Sequence, residues 1–303
     1  MTPIRNFNAL ITHLTSNVGQ PPCVAAVCPE DDATVEALAQ ALCYNVVKCR
    51  LYRVGTAALP ARLRDYEAMC EVRECADADT AARTAVQDVR EGRAEILFKG
   101  LINTDNLLRA VLNKEHGLLP PGNVLTHLTV MEAESYDKLL FFSDAAVIPF
   151  PTLDQRRAMV RYVTAACRSF GIESPAVALI HCSEKVSPKF PVTLDYETIK
   201  AEGAAGEFGP AEVDGPMDVK TACDSHAAHV KGLASKVCGR ADALIFPDIE
   251  AGNAFYKTMT RFAGATAAGT LLGTTAPVVL PSRSDEPEAK FVSLALAALL
   301  AGR

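Results

Sequence analysis

The sequence predicts an α/β protein of two domains, each with a largely parallel sheet and flanking helices. Three observations predict it. The chain has 303 residues, more than one compact core of ordinary size holds. Short apolar runs alternate with segments of helical period along most of the chain, which is the pattern of repeated strand–helix–strand units. Apolar residues make up 49% and charged residues 22%, the balance of a folded protein and not of a disordered one.

Each element is justified by its own residues. Strands are read at CVAAVC (23–28), NVVKCRLYRV (45–54), AEILFKG (94–100), NVLTHLTVME (123–132) and LLFFSDAAVI (139–148). Further strands are read at AVALIHC (176–182), ADALIFP (241–247), AAGTLLG (267–273) and PVVLP (277–281). DDATVEALAQALCY reads as a helix with aspartates in its first turn. TDNLLRAVLNKEHG reads as a helix starting at Thr104 and stopping at Gly117, and TLDQRRAMVRYVTAACRSFG as one ending at Gly171. The last helix is EPEAKFVSLALAALLAG. The Pro/Gly-rich stretch 187–216 is too long for an ordinary connection and reads as a loop with a short helix near a site. The domains are expected to be 1–133 with 284–303, and 134–283.

Net charge is −6 and the sequence pI is about 5.6, so an overall basic surface for nucleic acid is not expected. The ten cysteines form no CxxC pair and match no zinc or redox spacing. The N-terminal segment lacks a signal-peptide layout, so a reduced, cytoplasmic compartment is expected. The uncharged run 263–282 has the length of a membrane span, but Gly264, Gly269, Gly273, Pro277 and Pro281 make it a turn-rich buried sheet region. His226 and His229 share a helix face without a third ligand, so no metal is expected. Cys182, beside His181, reads as a buried strand-end residue.

Three places combine a strand end, a short loop and a helix start, the arrangement that aims backbone N–H groups at an anion. The first is ILFKGLINTDNLLRAVLN (96–113), with Lys99, Gly100, a Thr104 cap and Arg109. The second is FPDIEAGNAFYKTMTRFAG (246–264), with Asp248, Glu250, Gly252 and Asn253, the asparagine read as the helix cap. The third is VVLPSRSDEPEAK (278–290), with Ser282 and Arg283 between strand and helix. Each alone is often only a turn. Together, with two arginines, they point to a phosphate-bearing small molecule. No GxGxxG, Walker loop or GxSxG elbow is present.

The same loops carry a resemblance. ADALIFPDIEAGNAFYKTMTRFAGATAAGTLLGTTAPVVLPSRSDEPEAK and LFKGLINTDNLLRAVLNKEHGLL resemble the phosphate acetyl/butyryltransferase family. EKVSPKFPVTLDYE and VDGPMDVKTA are similar to its butyryl branch. The resemblance covers the chain from about residue 90 to the C-terminus. It implies two α/β domains with a cleft between them, the architecture shared with isocitrate and isopropylmalate dehydrogenases. It implies reversible transfer of a short acyl group between coenzyme A and inorganic phosphate, butyryl favoured. The partners it implies are acyl-CoA, phosphate, acyl phosphate and further copies of the chain, with no nucleic acid and no membrane. Coenzyme A enters as substrate, with no bound cofactor and no metal. The alternatives are phosphate acetyltransferase proper, or a non-catalytic member that binds CoA or acyl phosphate.

Residue by residue, the resemblance implies that Ser282 and Arg283 stabilise the acyl phosphate and transition state, and that Arg109 holds phosphate. Glu250, Gly252 and Asn253 match a substrate-lining loop, and Asp214 matches an Asp-Gly near the domain interface. Lys99, Gly100 and Thr104 belong to the matching first-domain segment. Acetyltransferases carry an aspartate, assigned as the base for the CoA thiol, seven residues after the serine. This chain has Ala289 there, which leaves Glu288 or Asp285 as a base, or no base at all.

Overall fold

A computed structural model describes residues 2–16 and 19–302. In chain order its elements begin α1 (Phe7–Ser16), β1 (Cys23–Val27), α2 (Asp32–Cys43), β2 (Lys48–Val54), β3 (Cys70–Cys75), α3 (Ala78–Arg90), β4 (Ile96–Lys99) and α4 (Thr104–Val111). There follow β5 (Thr126–Glu132), β6 (Leu140–Ser143), α5 (Leu153–Ser169), β7 (Ala176–Ile180), α6 (Val192–Ala204), β8 (Glu212–Met217), α7 (Val219–Cys223) and α8 (Ser225–Val230). The chain closes with β9 (Ala243–Ile245), α9 (Ile249–Phe262), β10 (Thr266–Leu272), β11 (Val278–Val279) and α10 (Pro287–Ala301).

These elements form two compact units. The first comprises Phe7–Leu125 with the chain from Ala268 onward, and the second comprises the residues up to Asn6 with Thr126–Ala267. The sequence reading puts the breaks at 133/134 and 283/284. The segment after Ala268 goes with the first unit because β10 pairs antiparallel with β11, and β11 pairs in parallel with β4.

In the first unit the strand order is β3-β2-β1-β4-β11-β10. The four strands from β3 to β4 are mutually parallel, as crossover helices require. Strands β1 and β4 are buried along almost their whole length, so they read as continuous apolar runs and not as alternating ones. Helix α10 packs on α2 and α1 and is apolar nearly all round, because it is buried on most of its surface.

In the second unit the order is β5-β6-β9-β7-β8, with β6, β9, β7 and β8 parallel. Its core includes Met131, Phe142, Ala178, Leu244 and Phe246, with Phe255 packed edge-on against Phe142. Helix α5 opens with a full capping box: the Thr152 hydroxyl accepts from the Gln155 N–H, and the Gln155 side chain accepts from the Thr152 N–H.

Two strands escape the sequence reading. β3 (CEVREC) is half-exposed and carries Glu71, Arg73 and Glu74, so it shows no apolar run. β8 (EVDGPM) holds an Asp-Gly-Pro that reads as a turn. The stretch 187–216 is therefore not only a loop excursion, because it carries α6 and the start of β8. Helix α4 also ends at Val111 and not near Gly117; a turn follows, with the Leu118 N–H donating back to the Val111 carbonyl at 2.8 Å.

Candidate active site

In the first unit the site starts from three adjacent parallel strands. Val27 pairs with Lys99 across β1 and β4, and Val279 pairs with Phe98 across β11 and β4. The chain segments leaving the carboxyl ends of β1, β4 and β11 therefore emerge side by side, where open α/β sheets bind ligands. Gly100 allows the closeness of two of them: a Cβ there would lie 2.3 Å from the Cys28 carbonyl oxygen. Its N–H donates to the Val27 carbonyl at 2.9 Å.

Lys99 ends β4 with a side chain only 2% exposed. Its Nζ donates to the Gly100 carbonyl at 3.3 Å, and it makes no ion pair with a described carboxylate. Burial pushes its pKa below the ordinary lysine value. Arg283 and Lys290 push it further, against the opposing pull of Asp31 and Asp285. Lys290, in the first turns of α10 and 3% exposed, donates to Asp31 Oδ1 at 3.0 Å and Thr34 Oγ1 at 3.1 Å. Asp31 also caps α2 by accepting from the Thr34 N–H at 2.9 Å. Burial would raise the Asp31 pKa, but the hydrogen bonds from Thr34 and Lys290 outweigh it and hold the carboxyl below its usual range.

After β11, Asp285 accepts from the Ser282 N–H at 2.7 Å while the Asp285 N–H donates to the Ser282 carbonyl at 3.1 Å. That closed turn holds the Ser282 and Ser284 hydroxyls 3.0 Å apart. Arg283 is exposed and makes no hydrogen bond or ion pair with any described residue. Glu288 is exposed on the first turn of α10. Around Lys99 three cations (Lys99, Arg283, Lys290) thus face two carboxylates (Asp31, Asp285), an excess of one positive charge. Both carboxylates already accept hydrogen bonds from the protein.

Thr104 is not the cap of α4. Asn103 caps it, accepting from the Asp105 N–H, because Asn103 has the extended backbone a cap needs while Thr104 is already helical. Arg109 lies apart from the strongest charges on Lys99. It borders a cavity of about 610 Å³ between α3 and α4, with Arg83, Arg90, Asn106 and His116 among its neighbours and, among the described residues, Asp79 and Glu91 as the only carboxylates. Arg83 donates to Thr80 Oγ1 and Arg90 to the Glu115 carbonyl, whereas Arg109 has no described partner.

In the second unit Asp144 follows β6, and its carboxylate accepts from Thr126 Oγ1 and from the N–H groups of His127, Ala146 and Val147, at 2.7 to 2.9 Å. Against this fixed loop lies the start of α9. Asp248 caps that helix, accepting from the Ala251 N–H at 2.8 Å. Asn253 is therefore not the cap but lies inside the first turns, where its Nδ2 donates to the Ala145 carbonyl at 3.0 Å. The segment 249–253 is helix rather than loop: Asp248, in the extended conformation, reaches the third N–H, and α9 runs on from Ile249. Gly252 is buried against the Asp144 carbonyl, and Glu250 is exposed.

Asp214, on β8, is bound to Lys200 at 2.5 Å and accepts from the Gly215 N–H. Burial would raise its pKa, and these partners with Ser235 hold it low instead. Cys182 is exposed and not buried; at that strand end the chain buries His181 instead, whose Nδ1 accepts from the Ser183 N–H at 3.0 Å. His226 and His229 lie on α8, and among the described residues no three His, Cys, Asp or Glu side chains gather as a metal site.

The sequence reading missed Lys290 and its partners Asp31 and Thr34. A signal was there: Lys290 is the one charge that the last helix carries into an otherwise apolar stretch.

The family described as Phosphate acetyl/butaryl transferase matches residues 61–298. The chain belongs to this family. It is an acyltransferase, and the family's reaction is reversible transfer of an acyl group between coenzyme A and phosphate. Among relatives, it is 37% identical over 305 residues to a phosphate butyryltransferase of Clostridium acetobutylicum, covering 99% of each chain. It is also 37% identical over 223 residues to a phosphate acetyltransferase of Thermotoga maritima, covering 74% of this chain and 76% of the relative. The fold is similar to that of a branched-chain phosphotransacylase from Enterococcus faecalis V583, with a TM-score of 0.83 and 29% identity over 92% of this chain and 99% of that one. No helix among the described residues of this family member is long and apolar enough to cross a membrane.

Proposed function

We propose that this member of the family transfers short acyl groups between coenzyme A and phosphate, with butyryl preferred to acetyl. The observation that carries the reading is the buried Lys99 beside Arg283 and Lys290, a cationic cluster with too few carboxylates to balance it. A buried ammonium without a counter-ion is costly, and an anionic ligand removes that cost. Phosphate or acyl phosphate supplies such a ligand. The unpartnered Arg283 guanidinium and the Ser282 hydroxyl meet the charge that builds on the acyl oxygen and phosphoryl group in the transition state. Gly100 and Thr104, which follow β4, belong to the same reading as phosphate-binding residues. The preference for butyryl is supported by the full-length likeness to a phosphate butyryltransferase.

Coenzyme A carries its phosphates far from its thiol, so it calls for a second anion site. The α3/α4 cavity with Arg109, Arg83, Arg90 and His116 suits those phosphates. On the second unit, the first turns of α9 with Glu250, Gly252 and Asn253 take part in substrate binding. Asp214, committed to Lys200, holds β8 in place. The ten free cysteines support a reducing, cytoplasmic location. Assembly into homo-oligomers belongs to the same reading, and light scattering of the purified chain measures it.

The test is release of CoA from acetyl-, propionyl-, butyryl- and longer acyl-CoA, each with and without phosphate. Phosphate-dependent release that peaks at butyryl is expected. A peak at acetyl overturns the preference, and no phosphate-dependent release from any thioester overturns the reading.

A further inference from the structure

The ten cysteines are free thiols, and the sheet of the first unit sets one pair of them face to face. Strands β2 and β3 run parallel, and their register places Cys49 directly opposite Cys70. Neighbouring strands lie about 4.8 Å apart, inside the roughly 4.4–6.8 Å between Cα atoms that a disulfide spans. Residues opposite each other on paired strands share a face, so both thiols leave the sheet on the same side. That side is the one away from α3, because the next residue, Arg50, donates to Asp88 on α3 at 2.9 Å. The other strand cysteines of this unit have no such neighbour: Cys23 stands opposite Lys48, and Cys75 opposite Val54.

The two thiols differ in access. Cys49 is 2% exposed, whereas Cys70 is partly exposed at the start of β3, the edge strand, just past the tight helical turns Ala61–Met69. An oxidant arriving from solvent meets Cys70 first and has Cys49 behind it, which is the order of a reactive thiol and its resolving partner. The hydrogen bond between them works in the same direction. It holds the Cys70 pKa below the ordinary thiol value and, together with burial, pushes that of Cys49 above it. Both residues lie near the amino ends of their strands, at the other end of the parallel sheet from Lys99 and the turn after β11.

We propose that Cys49 and Cys70 form a peroxide-reactive dithiol, which closes to a disulfide that fastens the edge strand β3 to β2. The Cys70 sulfur, as thiolate, attacks one oxygen of hydrogen peroxide. The O–O bond breaks, and the leaving hydroxide takes up the proton that Cys70 has shed, giving water and a Cys70 sulfenic acid. The Cys49 sulfur then attacks the Cys70 sulfur. The S–O bond breaks, and its hydroxide leaves with the Cys49 proton as a second water. Two thiols thus lose two electrons and two protons to one peroxide, which is reduced to two waters. A small external thiol reopens the bond by exchange. The disulfide also closes the chain between residues 49 and 70 into a loop, which takes freedom from the unfolded state and stabilises the first unit.

The test uses the reduced full-length protein and hydrogen peroxide, followed by alkylation and peptide mapping without reduction. Loss of about two titratable thiols per chain is expected, with a peptide linking Cys49 to Cys70 that dithiothreitol removes. Cys49→Ser, which lacks the resolving thiol, is expected to accumulate a Cys70 sulfenic acid that dimedone labels. The unfolding midpoint of the peroxide-treated wild type is expected to rise by about 4 °C or more, and that of Cys49→Ser to stay where it was. Oxidation of the exposed Cys43 or Cys182 while Cys49 and Cys70 still alkylate overturns the proposal, in a measurement that needs no variant. So does a linkage of Cys70 to any cysteine other than Cys49.

Discussion

Gly252→Ala replaces one hydrogen with a methyl group, and the structure indicates where it goes. An ideal Cβ at Gly252 lies 2.2 Å from the Asp144 carbonyl oxygen and 3.3 Å from the Ala145 Cα. Ordinary contact begins near 3.4 Å, so α9 and the loop after β6 must separate by roughly 1 Å. Neither side yields easily. The Asp144 carboxylate is held by four hydrogen bonds, and α9 is capped by Asp248 and tied by Asn253 to Ala145. Overpacking of this kind costs about 1–3 kcal/mol, and a backbone carbonyl as the obstacle places it at the upper end. Alanine returns about 1 kcal/mol of helix propensity. The net loss is about 2 kcal/mol, which lowers the unfolding midpoint of a unit of this size by about 4–8 °C. Calorimetry of the purified variant measures it. Because Asn253 moves with α9, the KM for acyl-CoA is expected to rise in parallel. An unchanged midpoint together with an unchanged KM refutes the claim that this close approach positions the helix start.

Arg283→Ala removes an unpartnered guanidinium from the cationic cluster, and kcat is expected to fall by at least about a hundredfold, as for a lost oxyanion donor; steady-state kinetics with acyl phosphate and CoA measure it. Arg109→Ala empties the α3/α4 cavity of its free cation, so KM for CoA is expected to rise about tenfold or more while kcat is spared, and an unchanged KM removes Arg109 from CoA binding. Asp31→Asn keeps a helix cap but loses the charge that faces Lys290, at a cost of about 1 kcal/mol near neutral pH. The Asp31 pKa lies lower in the folded state than in the unfolded one, so its contribution is fully present above the ordinary carboxylate range and is lost as pH falls through the folded value. Denaturation of the wild type and the variant is therefore expected to converge in acid, and a gap that persists there contradicts the linkage.

The two cationic sites differ in how far the sequence revealed them. Ser282, Arg283, Lys99 and Gly100 stand in contiguous motifs after apolar strands, so their place at strand ends was legible without coordinates. Lys290 and Asp31 were not, because they are 259 positions apart and meet only when α10 packs on α2. The caps differ from the sequence expectation for a related reason. Thr104 and Asn253 are both good capping types, but a neighbour with the extended backbone, Asn103 or Asp248, took the role. Composition ranks cap candidates, and the local φ and ψ choose among them. Arg109 shared a motif with Lys99 yet faces the α3/α4 cavity, because their side chains leave different elements in different directions.

What the sequence determined by itself was local and periodic: which runs are strands buried on both faces, which are helices, and which loops join them. Those properties depend on neighbours within a few residues, and so does a family motif. The edge strands β3 and β8 lay beyond that reach, since charges and an Asp-Gly-Pro hide a strand whose stability comes from pairing with a distant segment. Only the tertiary structure decided which charges share a low-dielectric pocket. Lys99 differs from other lysines in its burial beside Arg283 and Lys290, brought there by strand order and helix packing, and electrostatic coupling depends on distance in space and not along the chain.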